Sequence, residues 1–157
     1  MNTLKLEPIT AANFHLLEKI SLTEQQIEQQ SEENIYKTIA QAYVKLHHKK
    51  WLPYLATSLD SEKIYGHVCL VIPPEEDMCS ITALAVTKEY QGMGVGTQLM
   101  EETLSVINKV VPNAKFVGLL VAPDNMPAVN LYKKFRFKTD TTISSKQGKV
   151  MRLTLKK

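Results

Sequence analysis

The sequence predicts one α/β domain over residues 1–157, built on a mixed, mostly antiparallel sheet flanked by helices. Three observations carry that expectation. Alternating apolar residues after Pro53 read as a three-stranded meander. An amphipathic helix then opens on a glycine-rich turn, and strand and helix patterns alternate from there to the end. The predicted order is β-α-α-β-β-β-α-β-α-β-β.

Leu4 to Pro8 alternates in hydropathy and reads as a first strand. Thr10 caps a predicted helix through about Ile20, with Phe14, Leu17 and Ile20 at helical spacing. Gln25 to Gln30 is polar and ambiguous. Ser31 opens a clearer helix in which Ile35, Ile39, Ala42, Tyr43 and Leu46 share a face. The meander follows as Tyr54 to Leu59, Ile64 to Ile72 and Met78 to Val86, with turns at Asp60–Lys63 and Pro73–Asp77.

Val95 to Val111 is the best helix in the chain: Leu99, Met100, Thr103, Leu104, Ile107 and Val111 share one face. Lys115 to Val121 is a nearly all-apolar strand, a pattern that suits burial on both faces. A short helix over about Met126 to Phe135 has Asp124 or Asn125 as cap and Pro127 in its first turn. Two weaker strands, about Phe137 to Ile143 and Val150 to Leu155, close the pattern.

Composition narrows the function. Apolar residues make up 44% and charged residues 22%, with a net charge of +3. No concentrated basic stripe with interleaved aromatics marks a nucleic-acid surface. The dense basic cluster, His47-His48-Lys49-Lys50, reads as a solvated helix end. No apolar run is long enough to span a membrane, and the N-terminus lacks signal-peptide character. Cys69 and Cys79 lie in apolar strands and read as free, buried thiols. The expectation is a cytoplasmic protein with no nucleic-acid or membrane partner.

The informative stretch is Gln91-Gly92-Met93-Gly94-Val95-Gly96, which holds three of the chain's six glycines. A glycine turn that opens a helix leaves main-chain N–H groups free and lets an anion approach closely. The helix dipole adds positive charge there. A phosphate-bearing ligand follows. The Walker A pattern fails because no Gly-Lys-Ser/Thr is present, and the dinucleotide fingerprint fails because Thr97 stands at its third glycine.

The segment Leu84-Ala85-Val86-Thr87-Lys88-Glu89-Tyr90-Gln91-Gly92-Met93-Gly94-Val95-Gly96-Thr97 resembles the acetyl-CoA-binding motif of the GNAT superfamily of N-acetyltransferases. Its Gln/Arg-x-x-Gly-x-Gly/Ala pattern is met by Gln91, Gly94 and Gly96. Farther on, Asn125, Ala128 and Leu131-Tyr132-Lys133-Lys134-Phe135-Arg136-Phe137 resemble the second family signature. There Arg136 stands where the family has glycine, at a position that commonly takes a left-handed conformation.

The resemblance implies a GNAT-like fold and acetyl-CoA as cosubstrate, with no metal. It places the CoA pyrophosphate on the main chain of Gln91, Gly92, Met93, Gly94, Val95, Gly96 and Thr97. Leu84, Ala85 and Val86 would pair with the pantetheine arm as a strand would, and Asn125 belongs to the same cofactor set. A main-chain N–H near Val86 would polarise the thioester carbonyl. Tyr132 occupies the general-acid position; a phenol of pKa about 10 is protonated at neutral pH. Asn125 also reads as a helix cap.

No carboxylate stands on the strands where a general base is often found, so proton removal through water near Ser80 or Thr82 is the expectation. Glu75, Glu76 and Asp77 read as a solvated turn, His67 as a hydrogen-bonded structural histidine, and Cys79 as inert. The implied reaction is direct acetyl transfer to a primary amine of a small molecule or peptide. Glu28, Glu32 and Glu33 give a loose likeness to bacterial polyamine and diamine acetyltransferases. A homodimer is implied through edge strands. The alternative is a non-catalytic CoA-binding regulatory or partner-binding domain.

Overall fold

A computed structural model describes residues 3–29, 40, 49–146 and 148–156. The helix expected from Ser31, with Glu32, Glu33, His47 and His48, falls outside them except at residue 40, which is helical.

Seven strands form one sheet in the order β1-β2-β3-β4-β5-β7-β6. They are β1 (Leu4–Pro8), β2 (Lys50–Ser58), β3 (Ile64–Ile72), β4 (Met78–Val86), β5 (Phe116–Val121), β6 (Lys138–Thr139) and β7 (Lys149–Thr154). Every neighbouring pair is antiparallel except β4 and β5. The described helices are α1 (Glu24–Gln29), α2 (Val95–Val110) and α3 (Met126–Lys134). Short 3₁₀ turns lie at Phe14–Lys19 and Lys88–Tyr90.

The expected meander is present, but β2 begins at Lys50 rather than at Tyr54 and runs through Pro53. The proline is tolerated because of where its missing donor points. Its carbonyl accepts from Ile9 at 3.0 Å on the β1 side, where β1 pairing ends at Pro8↔Tyr54. A strand residue's N and O point the same way, so the absent N–H falls beyond the end of that ladder.

The predicted helix from Thr10 is instead a turn followed by 3₁₀ structure. Thr10 Oγ1 accepts from Ala12 N at 3.3 Å, and Asn13 Oδ1 accepts from Thr10 N at 2.7 Å. These local bonds divert the backbone from α-helical pairing. The strand expected over Phe137 to Ile143 shrinks to Lys138–Thr139.

The main core lies on the face covered by α2 and α3. Leu70, Ile72, Ile81, Leu99, Met100, Ile107, Val117 and Leu119 belong to one buried cluster. On the opposite face Leu17, Leu55 and Ile64 form a smaller cluster. The all-apolar β5 is buried on one face only: Val117, Leu119 and Val121 are buried, whereas Leu120 is 40% exposed. Its outer face, with Phe116 and Gly118, borders a cleft.

Candidate active site

The parallel ladder between β4 and β5 runs from Met78↔Phe116 to Ile81↔Leu119 and then stops. At the same level, β3 pairs Leu70 with Ile81 and Cys69 with Ala83, which leaves Thr82 as an extra, bulged residue. A bulge bends its strand. Thr82 Oγ1 fixes this one by donating to the Cys69 carbonyl at 3.3 Å. Beyond it β4 parts from β5, and a cleft of about 1060 Å³ opens between them.

Leu84, Ala85 and Val86 line that cleft from β4, and Gln91, Gly92, Gly94, Gly96 and Thr97 line it from the glycine turn and α2. Asn125 and Tyr132 line it from α3. Two expected cofactor residues do not. Met93 projects outward, 68% exposed, and Val95 is buried in the core.

Gly92 and Gly94 have φ of +74° and +80°. Nothing lies within 4 Å of a Cβ built at either, so glycine is needed there for conformation rather than for space. Gly94 precedes α2 without a side-chain cap, and no acidic residue occupies the first turn. Its carbonyl accepts from Thr97 and Gln98 at 3.1 and 3.2 Å. The N–H groups of Val95 and Gly96 have no acceptor within the helix and sit at its positive end. A Cβ at Gly96 would lie 3.6 Å from Leu131 Cδ2 and 3.9 Å from Val86 Cγ2, both on cleft walls. A helix start of this kind can hold an anion.

The Gln91 side chain turns from this helix start and donates to the Val86 carbonyl at 3.0 Å. Gln26 of α1 donates to the same oxygen at 3.1 Å. Gln26 also forms a capping box: its Oε1 accepts from Thr23 N at 2.8 Å, and Thr23 Oγ1 accepts from Gln26 N at 3.1 Å. Lys88 N donates to Ser21 O at 2.8 Å, and Ser21 N to Thr87 Oγ1 at 3.1 Å. These bonds tie α1 to the end of β4. The Thr-x-x-Gln pattern at 23–26 was the available signal for this helix.

On α3, Asn125 is the cap: its Oδ1 accepts from Ala128 N at 3.3 Å. At the other end, Arg136 takes φ +68°. Its N–H donates to Lys133 O at 2.9 Å and that of Phe137 to Tyr132 O at 3.0 Å, which completes a Schellman motif. The residue thus adopts the conformation usually given to glycine. The Tyr132 and Phe137 rings lie 5.9 Å apart. Tyr132 is 7% exposed, and burial pushes its phenol up to about 12.

The remaining candidates divide by position. Ser80 and Thr82 line the cleft. Glu76 pairs with Lys50 at the turn and lies outside the cleft lining. Cys79 is buried in the main core, and burial pushes its thiol up to about 12, so it stays protonated. His67 is buried, but the expected hydrogen bond is absent: neither ring nitrogen has a partner among the described residues. Burial holds its pKa down to about 4.

Below the split, an outer arm of the cleft runs across β4, β5 and β7. Phe116, Gly118 and Leu120 form its floor, with Arg152 beside them. Gly118 sits in register with Ser80 on one side and Arg152 on the other. Local sequence carries no signal for this arm, because sheet register alone brings its residues together.

The model of the acetyltransferase (GNAT) family matches residues 15–137. An N-alpha-acetyltransferase of Sulfurisphaera tokodaii is 40% identical over 58 residues, which are 37% of this chain and 34% of that relative. The match therefore spans about a third of the relative's length. The crystal structure of spermidine N-acetyltransferase from Vibrio cholerae in complex with CoA and spermine is 17% identical, with a TM-score of 0.73 over 97% of this chain and 94% of that one. Aminoglycoside acetyltransferase AAC(6')-Ib in complex with coenzyme A and kanamycin is 19% identical, with a TM-score of 0.73 over 96% and 94%. These likenesses establish the fold.

Proposed function

Because the chain belongs to the acetyltransferase (GNAT) family, we propose that it is an N-acetyltransferase that moves the acetyl group of acetyl-CoA directly to a primary amine. One observation carries the reading: β4 and β5 part directly beside the uncapped start of α2, and a cleft opens there. A donor enters from the glycine turn, and an acceptor enters from the outer arm.

In this reading the N–H groups of Val95 and Gly96 hold the CoA pyrophosphate, with the main chain of Gln91, Gly92, Met93, Gly94 and Thr97 around it. Leu84, Ala85 and Val86 offer the unpaired edge of β4 to the amide-rich pantetheine. The Val86 carbonyl points away from β3, and its N–H points the same way, toward where the thioester carbonyl would lie. Asn125 supports the site by starting α3.

The acceptor nitrogen attacks the carbonyl carbon; the N–C bond forms, the C–S bond breaks, and the amine proton passes to water. Ser80 and Thr82 face that water, and Thr82 offers oxygen lone pairs because its own proton is directed to Cys69. With its pKa near 12, Tyr132 is a weaker acid than a thiol of about 8.5. It stabilises the departing thiolate by donating a hydrogen bond rather than by giving up its proton.

The acceptor in this proposal is a small-molecule or peptide amine. One domain, a cytoplasmic location and pairing of copies through edge strand β1 or β6 complete the reading. Among the described residues, no helix is long and apolar enough to cross a membrane. A non-catalytic CoA-binding domain is not favoured, since it has no use for a phenol in the cleft or for an open acceptor arm. Acetyl-CoA is expected to raise the Tm, and amines to release free CoA thiol from it. A raised Tm with no release from any amine would restore the non-catalytic reading; neither response would remove both.

A further inference from the structure

The outer arm carries a charge arrangement that bears on the acceptor. Five apolar side chains line it: Met78, Phe116, Leu120, Ile143 and Val150. Asp140 is the one carboxylate among its described lining residues, and both of its oxygens accept hydrogen bonds. Its Oδ1 accepts from Thr142 N at 3.0 Å and from Thr142 Oγ1 at 2.6 Å, and its Oδ2 accepts from Arg152 Nη1 at 3.3 Å. These bonds hold its carboxyl below the usual range, those from Thr142 first.

Arg152 is placed differently. Its guanidinium carbon lies 3.6 Å from the centroid of the Phe116 ring, and its side chain is 42% exposed. A guanidinium has five N–H donors, and the bond to Asp140 uses one. The stack and the ion pair fix the group at the far end of the arm. Gly118 leaves the space beside it open: a Cβ there would meet nothing nearer than Met78 Cε at 3.9 Å. From Leu120, at the split, to Phe116, beneath the guanidinium, the strand advances roughly 13 Å at about 3.3 Å per residue.

We infer that the acceptor is an amine on an apolar body whose far end carries a carboxylate, and that Arg152 reads that carboxylate. This inference rests on the transferase reading above. It sets the arm apart from one built for a polycation, which would present unengaged carboxylates where this arm presents a cation. The apolar floor covers the body of the acceptor, Gly118 gives it passage, and the guanidinium fork takes the anionic end.

The test is a matched series that shares one chain length: ω-aminooctanoate, octylamine and diaminooctane, with spermidine alongside. Thiol release from acetyl-CoA is followed for each. The expected kcat/KM for ω-aminooctanoate exceeds that for the other three by about tenfold or more, the scale of one charge-assisted hydrogen bond. In Arg152→Gln the preference disappears through KM for ω-aminooctanoate, with KM for acetyl-CoA unchanged. Arg152→Lys, which keeps the charge and loses the fork, restores part of it, and the Tm of both variants reports folding. Equal or better use of octylamine, diaminooctane or spermidine overturns the inference while leaving the transferase reading in place. An unchanged preference in folded Arg152→Gln does the same. Release from no amine removes the transferase reading and this inference with it.

Discussion

Tyr132 and Phe137 are joined twice: the Phe137 N–H donates to the Tyr132 carbonyl at 3.0 Å, and their rings lie 5.9 Å apart. The backbone bond ends α3, and the ring contact packs the phenol against the core. The position of the proposed donor is thus set by how its helix stops. Arg136, between them at φ +68°, carries the strain of that stop.

Arg136→Gly is therefore expected to stabilise the fold. A non-glycine residue in the left-handed region costs about 1 kcal/mol or more, which corresponds to a Tm gain of about 2–4 °C in a domain of this size. Turnover should not change, because the Schellman bonds persist. Thermal melts and a parallel rate measurement check both halves.

Tyr132→Phe removes the hydroxyl and keeps the ring. Turnover should fall by about tenfold or more, the worth of one hydrogen bond to a developing charge, while acetyl-CoA affinity holds. With the phenol pushed up to about 12, no falling limb from Tyr132 should cut the rate profile below about pH 10. The same shift favours the fold below the unfolded phenol value of 10.0 and loses that contribution as pH rises toward 12. A rate profile and an alkaline melt series examine these points.

Gly94→Ala and Gly96→Ala should show which glycine of the turn is required by its conformation. At Gly94, φ of +80° makes alanine costly by about 1–2 kcal/mol, so Tm and acetyl-CoA affinity fall together. Gly96 is the second residue of α2, where alanine is favoured by less than the roughly 1 kcal/mol of a helix interior. Its new methyl would stand against Leu131 and Val86 on the cleft walls. These are ordinary contact distances and alanine satisfies the Gly/Ala position of the motif, so Tm and affinity should both hold, as calorimetry and melts would record.

His67 gives the fold an acid sensitivity. Its folded pKa is held down to about 4 against 6.5, so the unfolded chain binds the proton first. Stability is whole above the unfolded value and is lost as pH falls toward 4, by about 3 kcal/mol. His67→Leu should flatten the Tm between pH 6.5 and 4. An unchanged slope in the variant would exclude His67 as its source.

The parts of the fold legible in sequence were those fixed locally. Alternation gave Leu4–Pro8, Ile64–Ile72 and Met78–Val86 with the boundaries observed. Pro53 hid the start of β2, because the direction of its missing donor depends on where β1 ends. An all-apolar β5 looked buried on both faces, since sequence does not show which apolar face borders a cleft. The glycine turn was readable because its chemistry is contiguous. Gln26, Gly118 and Arg152 were not, because helix docking and strand register bring them to the cleft.

The Val86 carbonyl oxygen receives one carboxamide from the glycine turn and another from α1. The glycine turn and α1 therefore share a single hinge pin. Changes to α1 will tug on the donor side, whereas changes on β5 and β7 leave that pin alone. In the proposed reading, the acceptor preference can therefore change at the β5–β7 end without disturbing the hold on the donor.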